Sequence, residues 1–237
     1  MMLSTLNAKT IVKIPEASGI CYVQDLKQLI VVNDEGWIYR VTKDGEILEK
    51  KLLGDYDLEG IAYDDISNKL YLADESKNSI LVLNIKNFKI VKKIKIKKKY
   101  KDISILKKSK NSGIEAIAIK DGEIYLSNQS LKKWPNKNPS VVFKIGKIKN
   151  NKAKIVKIYN HGYVDIAGLT FHKNHLYMTS DKKNLLIKYD LKNNKTIKKI
   201  KLKKSAQEGI CFDDKNNIYI ADDKGNILKY KAKSLGL

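Results

Sequence analysis

DLEGIAY, residues 57–63, recurs four more times along the chain, as EASGICY (16–22), GIEAIAI (113–119), DIAGLTF (165–171) and AQEGICF (206–212). Two places after the repeated Gly, which is Ala in the third copy, a small residue stands each time: Cys21, Ala62, Ala118, Thr170 and Cys211. The next place holds a large one: Tyr22, Tyr63, Ile119, Phe171 and Phe212. Each copy leads to a second strand ending in IVVND, YLADE, YLSNQ, YMTSD or YIADD. An alternating third strand follows: WIYRV, ILVLNI, VVFKI, LLIKYD or NILKY. In four copies there is a fourth strand: EILEKKLL, KIVKKIKI, AKIVKIY and KTIKKIKL.

Four short strands in a unit of roughly 40–55 residues, separated by turn residues such as KDG and DDKGN, form the pattern of a propeller blade. The fifth unit stops after its third strand, at NILKYKAK, whereas residues 8–14, AKTIVKI, resemble the AKIVKIY of the third unit. The expectation is therefore an all-β, five-bladed β-propeller with four-stranded antiparallel blades, a single domain over residues 1–237. Its blades start near residues 16, 57, 113, 165 and 206, and the N-terminal strand completes blade 5. Pairing the two ends of the chain removes the sheet edge that an open array would expose. Crowding at the axis explains the small residues of the inner strands. Cys21 and Cys211 share one repeat position, which points to buried thiols rather than a disulfide. Tyr71, Tyr125, Tyr177 and Tyr219 also share a position and are expected to form an aromatic core layer.

The formal net charge is +21, and all 47 basic residues are lysine except Arg40. A surface built to grip phosphates and base edges is expected to use arginine forks as well, so no specific nucleic-acid partner is expected. The lysines read as a solvated exterior. No run reaches the roughly 18 apolar residues that span a bilayer, so no transmembrane segment is expected. The N-terminal MMLSTLNAKTIVKIP lacks the basic head and apolar block of an export signal.

Against this background the acids are unevenly placed. Thirty-seven residues around the starts of the inner strands and the ends of the second strands hold 14 of the 26 acids and two lysines. In a four-stranded meander these two regions lie on the same face. Ser18, Glu59, Glu115, Ala167 and Glu208 open the inner strands at the channel mouth. Around them the expected rim contains Glu16, Asp57 and Asp165, together with Asn33, Asp74, Asn128 and Asp222 and the acids that follow several of these. Converging glutamates repel one another and resist burial unless a cation, channel waters or shared protons intervene. An all-oxygen set, Ser18, Glu59, Glu115 and Glu208, suits Ca2+ better than zinc or copper.

At these residues the sequence resembles the SdiA-regulated, YjiK-like family of bacterial β-propellers, whose repeats carry similar EPSGL, DLEGI and AEGI elements. The resemblance covers nearly the whole chain. It implies an envelope or periplasmic propeller with a metal in its channel and no settled reaction; a cytoplasmic location is the alternative. Ala167 departs from the pattern and offers no side-chain ligand. Calcium-activated nucleotidases share the five-bladed architecture with an axial calcium, but their substrate motifs are not found here.

Trp37, Trp134, His161 and Tyr163 are the expected ligand contacts on the acidic face, Trp134 lying in the insertion QSLKKWPNKNPS of blade 3. The principal functional expectation is a monomeric, calcium-binding ligand-binding or scaffold protein that receives a small molecule, peptide or glycan. The alternative is a calcium-dependent hydrolase of phosphate or carboxylic esters, of nucleotidase, phytase or lactonase type.

Overall fold

In the computed structural model, residues 8–107 and 113–237 are described. Residues 1–7, on which the expectation of no export signal partly rests, lie outside them. The first strand, β1 (Lys9–Lys13), belongs to the last blade. Blade 1 is the meander β2 (Ala17–Val23), β3 (Gln28–Asn33), β4 (Trp37–Thr42) and β5 (Ile47–Leu52). Blade 2 consists of β6 (Leu58–Asp64), β7 (Lys69–Asp74), β8 (Ser79–Asn84) and β9 (Ile90–Ile96). A small hairpin follows, β10 (Lys99–Tyr100) and β11 (Ile103–Ser104). Blade 3 contains β12 (Ile114–Lys120), β13 (Glu123–Asn128) and β14 (Val142–Ile145), then, after the short β15 (Lys152–Ala153), its outer strand β16 (Ile155–Tyr159). Blade 4 is β17 (Ile166–His172), β18 (His175–Ser180), β19 (Leu185–Asp190) and β20 (Lys195–Lys201). Blade 5 is β21 (Gln207–Phe212), β22 (Asn217–Asp222) and β23 (Asn226–Lys231), closed by β1, whose Lys9 lies opposite Lys229 and Lys13 opposite Asn226.

The expected five blades and their closure are thus present, with one difference in detail. The segment expected as the outer strand of blade 3 begins one residue early, on its neighbour. Lys152 and Ala153 pair in parallel with Lys95 and Ile96 of blade 2, and only then does the chain return to its own sheet. Burial of Ala153 beside Ile96 favours this detour.

Position in the blade explains the sequence patterns. An inner strand is covered on both faces by neighbouring blades and reads as a nearly continuous apolar run; β21 is buried throughout. An outer strand has one solvated face and alternates, as in KTIKKIK of β20. Apolar clusters fill all five interfaces between adjacent blades. Tyr125, Tyr177 and Tyr219 are buried in these clusters and Tyr71 packs at the edge of one. Cys21 and Cys211 are buried free thiols.

At the axis the repeated glycines let backbones touch. A Cβ on Gly19 would lie 3.0 Å from the Gly60 Cα, one on Gly60 2.8 Å from the Ala116 Cα, and one on Gly209 2.7 Å from the Ser18 carbonyl oxygen. Blade 1 thereby abuts blade 2, blade 2 abuts blade 3, and blade 5 returns to blade 1. Because the obstacles are backbone, they cannot rotate away. Gly209→Ala is therefore expected to cost about 1–3 kcal/mol. A thermal melt within error of wild type would contradict this close approach.

Candidate cation site at the channel mouth

Each inner strand begins with an irregularity that aims a side chain at the mouth. Pairing with the second strand slips between Ala17 and Gly19, Leu58 and Gly60, Ile114 and Ile117, Ile166 and Gly168, and Gln207 and Ile210. The slips bracket Ser18, Glu59, Glu115, Ala167 and Glu208. A β-bulge interrupts the alternation of a strand and turns its extra residue away from the sheet faces. A second repeated device brings the acids that follow the second strands to the same place. The backbone N–H of Asp34 donates to the Glu16 carbonyl, Glu75 to Asp57, Gln129 to Gly113 and Asp223 to Ala206, at 2.9–3.4 Å.

The densest group lies toward the boundary of blades 2 and 3. Asp57, Glu59 and Glu75 each bring a carboxylate oxygen within 4.8 Å of the others. Glu75 is buried and reaches across the boundary, where its Oε1 accepts the Gly113 N–H at 2.9 Å. Glu115 and Asp57 lie close enough to its carboxyl to shift its titration, Glu115 downward and Asp57 upward. Gly113 is necessary to this approach, since a Cβ there would lie 2.9 Å from the Glu75 Cγ.

Charge is poorly compensated here. Burial, followed by the charges of Glu75, Asp57, Asp34 and Asp223, pushes the Glu59 carboxyl well above the ordinary range. Burial and then Glu59, Glu75 and Glu208 do the same to Glu115, and burial with Asp223 and Glu59 to Glu208. Burial raises Glu75 despite the Gly113 N–H, which works the other way. Asp34, still largely in solvent, is raised by partial desolvation and Glu16, and Asp223 reaches about 6 through partial desolvation and Asp181. Asp165 and Asp181 are also raised by burial, with Lys182 opposing in both cases. The site therefore favours a proton or a cation.

Of the expected ligands, Glu59, Glu115 and Glu208 face one another closely enough to shift one another's titration. The Ser18 hydroxyl is buried and donates to the Glu16 carbonyl at 3.1 Å. Asp57, expected on the rim, belongs instead to the tight carboxylate group, and Glu75 joins it as a residue not among the expected ligands. Glu16 is exposed at the rim, and Asp165 Oδ2 accepts the Lys182 N–H.

The other four rim residues serve a different purpose. Asn33, Asp74, Asn128 and Asp222 are buried and clasp the turns between second and third strands. Asn33 bonds the Pro15 carbonyl and the Trp37 N–H. Asp74 accepts from Ser76 and Ser79, Asp222 from the Asn226 N–H, and Asn128 bonds Ile105, Pro139 and Val141. Strand alternation is the reason: the last residue of the second strand points into the blade and its successor points out. Asn128→Ala should destabilise by about 1–3 kcal/mol because buried backbone groups lose their partners. The melt should fall while any calcium response is retained.

The expected ligand contacts are largely occupied by packing. Trp134 packs against the core of blades 2 and 3. The Trp37 ring is covered by the Lys50 ammonium, 4.0 Å from its centroid, and the Tyr163 hydroxyl bonds Thr196 at 2.9 Å. His161 is buried; its Nδ1 accepts the Tyr163 N–H, its Nε2 has no partner among the described residues, and burial pushes its pKa down to about 4.

Comparison with known proteins places this geometry in context. The family profile described as SdiA-regulated matches residues 3–227. No curated protein matches the sequence. Among solved structures, the glutaminyl cyclase of Myxococcus xanthus superposes with a TM-score of 0.62 at 10% identity, covering 94% of this chain and 93% of that one. A streptogramin B lyase gives 0.55 at 11% identity, covering 94% and 96%. At such identities the likeness is one of fold alone.

Proposed function

This chain belongs to the SdiA-regulated family, and from that premise we propose that it is a calcium-binding propeller of the bacterial envelope that receives a small molecule, peptide or glycan at its acidic face. The observation that carries the reading is the group formed by Asp57, Glu59 and Glu75, joined through Glu75 to Glu115. Its donors are all carboxylate oxygens, a set suited to a hard cation. Asp57, Glu59, Glu75 and Glu115 would hold the ion, with Ser18 and Glu208 on the same bulged ring. The ion would neutralise their repulsion and offer a positive centre to an oxygen of the ligand.

The reading is tested by melting metal-stripped protein against Ca2+, Mg2+ and Zn2+. Calcium is expected to raise the melting temperature most. A rise confined to zinc would contradict the oxygen-donor assignment.

A second reading is favoured by the openness of the mouth. Asp57 and Glu59 are only half-buried, while Asp34 and Asp223 are exposed. A bound ion would therefore be accessible to substrate, as a calcium-dependent hydrolase of phosphate or carboxylic esters requires. Nucleotides, phosphomonoesters and lactones assayed in calcium with wild type and Glu59→Gln separate the two readings. Turnover lost in the variant supports hydrolysis, and silence throughout supports binding alone.

A further inference from the structure

The face opposite the acids carries the reverse arrangement. Between blades 4 and 5, a groove of about 620 Å³ is formed by the turn joining β17 to β18, the turn joining β21 to β22, and the segment that follows β23. Lys173, Lys188, Lys215, Lys231 and Lys233 line it, and its lining contains no Asp or Glu. Among the described residues none of these five forms a salt bridge. Five like charges around one concavity repel one another, so an anion entering it is favoured by all of them.

The same groove has an aromatic wall. The rings of His172 and Phe212 are stacked, their centroids 4.1 Å apart and their planes at 5°, with Tyr177 tilted against Phe212 at 4.6 Å. A hydrogen bond of 2.9 Å between His172 Nε2 and Asn216 Oδ1 fixes the imidazole in this stack. The Lys188 ammonium lies 5.9 Å from the Tyr177 centroid, tying the basic rim to the aromatic wall. The volume falls within the usual span of small-ligand sites, about 300–1,000 Å³.

We propose that this groove binds a phosphorylated ligand bearing a planar aromatic ring, of nucleoside-phosphate type, with the lysines meeting the phosphates and the half-buried His172 ring, backed by the buried Phe212 and Tyr177, meeting the ring. Lysines act here as point charges toward phosphate, and the His172 ring held against Phe212 offers the flat surface that distinguishes such a ligand from a simple anion. This site is separate from the acidic mouth and does not depend on a metal there.

The test is calorimetric titration of the full chain with ADP in buffer containing EDTA, with pyrophosphate and adenosine as parallel probes. ADP is expected to bind one-to-one below about 1 mM, at least about tenfold more tightly than either probe. Lys173→Ala/Lys215→Ala/Lys233→Ala, all at exposed positions, should weaken ADP by about tenfold or more. Lys92→Ala/Lys95→Ala/Lys154→Ala, which removes the same charge from β9 of blade 2 and from the link between β15 and β16, should leave it unchanged. Absence of saturable ADP binding, equal affinity for pyrophosphate, or equal losses in the two triple variants would each overturn the proposal.

Discussion

Glu59→Gln/Glu115→Gln is expected to melt above wild type in EDTA at pH 8 and below it in saturating calcium. Neither variant side chain can carry charge, so the metal-free protein is relieved of two of the carboxylates that burial and mutual repulsion destabilise. Removing that repulsion and the cost of burying the two charges should therefore raise the melting temperature of the metal-free protein. Calcium at about one hundred times its Kd stabilises the wild type by about 2.7 kcal/mol. For a chain of this size that is a rise of about 5–10 °C. The variant, lacking two donors, should show no rise. A loss of the calcium response without the crossing in EDTA would mean that the acids are not under repulsion. A calcium response retained in the variant would mean that they are not the ligands.

The second large effect is on pH. A carboxyl whose folded pKa is raised gives its full stabilisation below the unfolded value and loses it as pH rises through the folded value, because the unfolded chain releases the proton first. Glu59, Glu75, Glu115, Glu208 and Asp223 all shift in this direction, Asp223 from 3.8 to about 6. Their joint contribution to the stability of metal-free protein should thus decline from pH 4 upward, steeply enough to include the interval around 6. Calcium competes with those protons, so its binding should release them and its apparent affinity should rise with pH. Titrations at pH 5.5 and pH 8 in buffers of different ionisation enthalpy give both quantities. Calcium affinity independent of pH would be incompatible with raised carboxyls at the site.

The fold was legible because inner strands packed on both faces tolerate little change in size, and this keeps the small residue, the large residue and the Gly, replaced only by Ala116, in register through five copies. Glu59, Glu115 and Glu208 were legible for the same reason: they occupy one position of that repeat. Glu75 was harder to assign. It follows Asp74 directly, and a string of two acids does not say which one points into the blade. The turn beyond β7 decides, giving Asp74 to Ser76 and Ser79 and Glu75 to the mouth. Nor does a bulge leave a mark in composition, so the gathering of Asp57 with Glu59 and Glu75 was hidden. His161 was expected to meet a ligand on the acidic face; its burial depends on elements distant in sequence. The two-residue pairing of β15 with blade 2 is too short to carry a periodic signal.

Calcium binding to metal-stripped protein, measured by isothermal titration at pH 8, tests the central claim most directly. The account predicts one ion per chain, with binding lost in Glu59→Gln/Glu115→Gln and kept in Asn128→Ala. No calcium uptake by folded wild type, or undiminished uptake by the double variant, would contradict it.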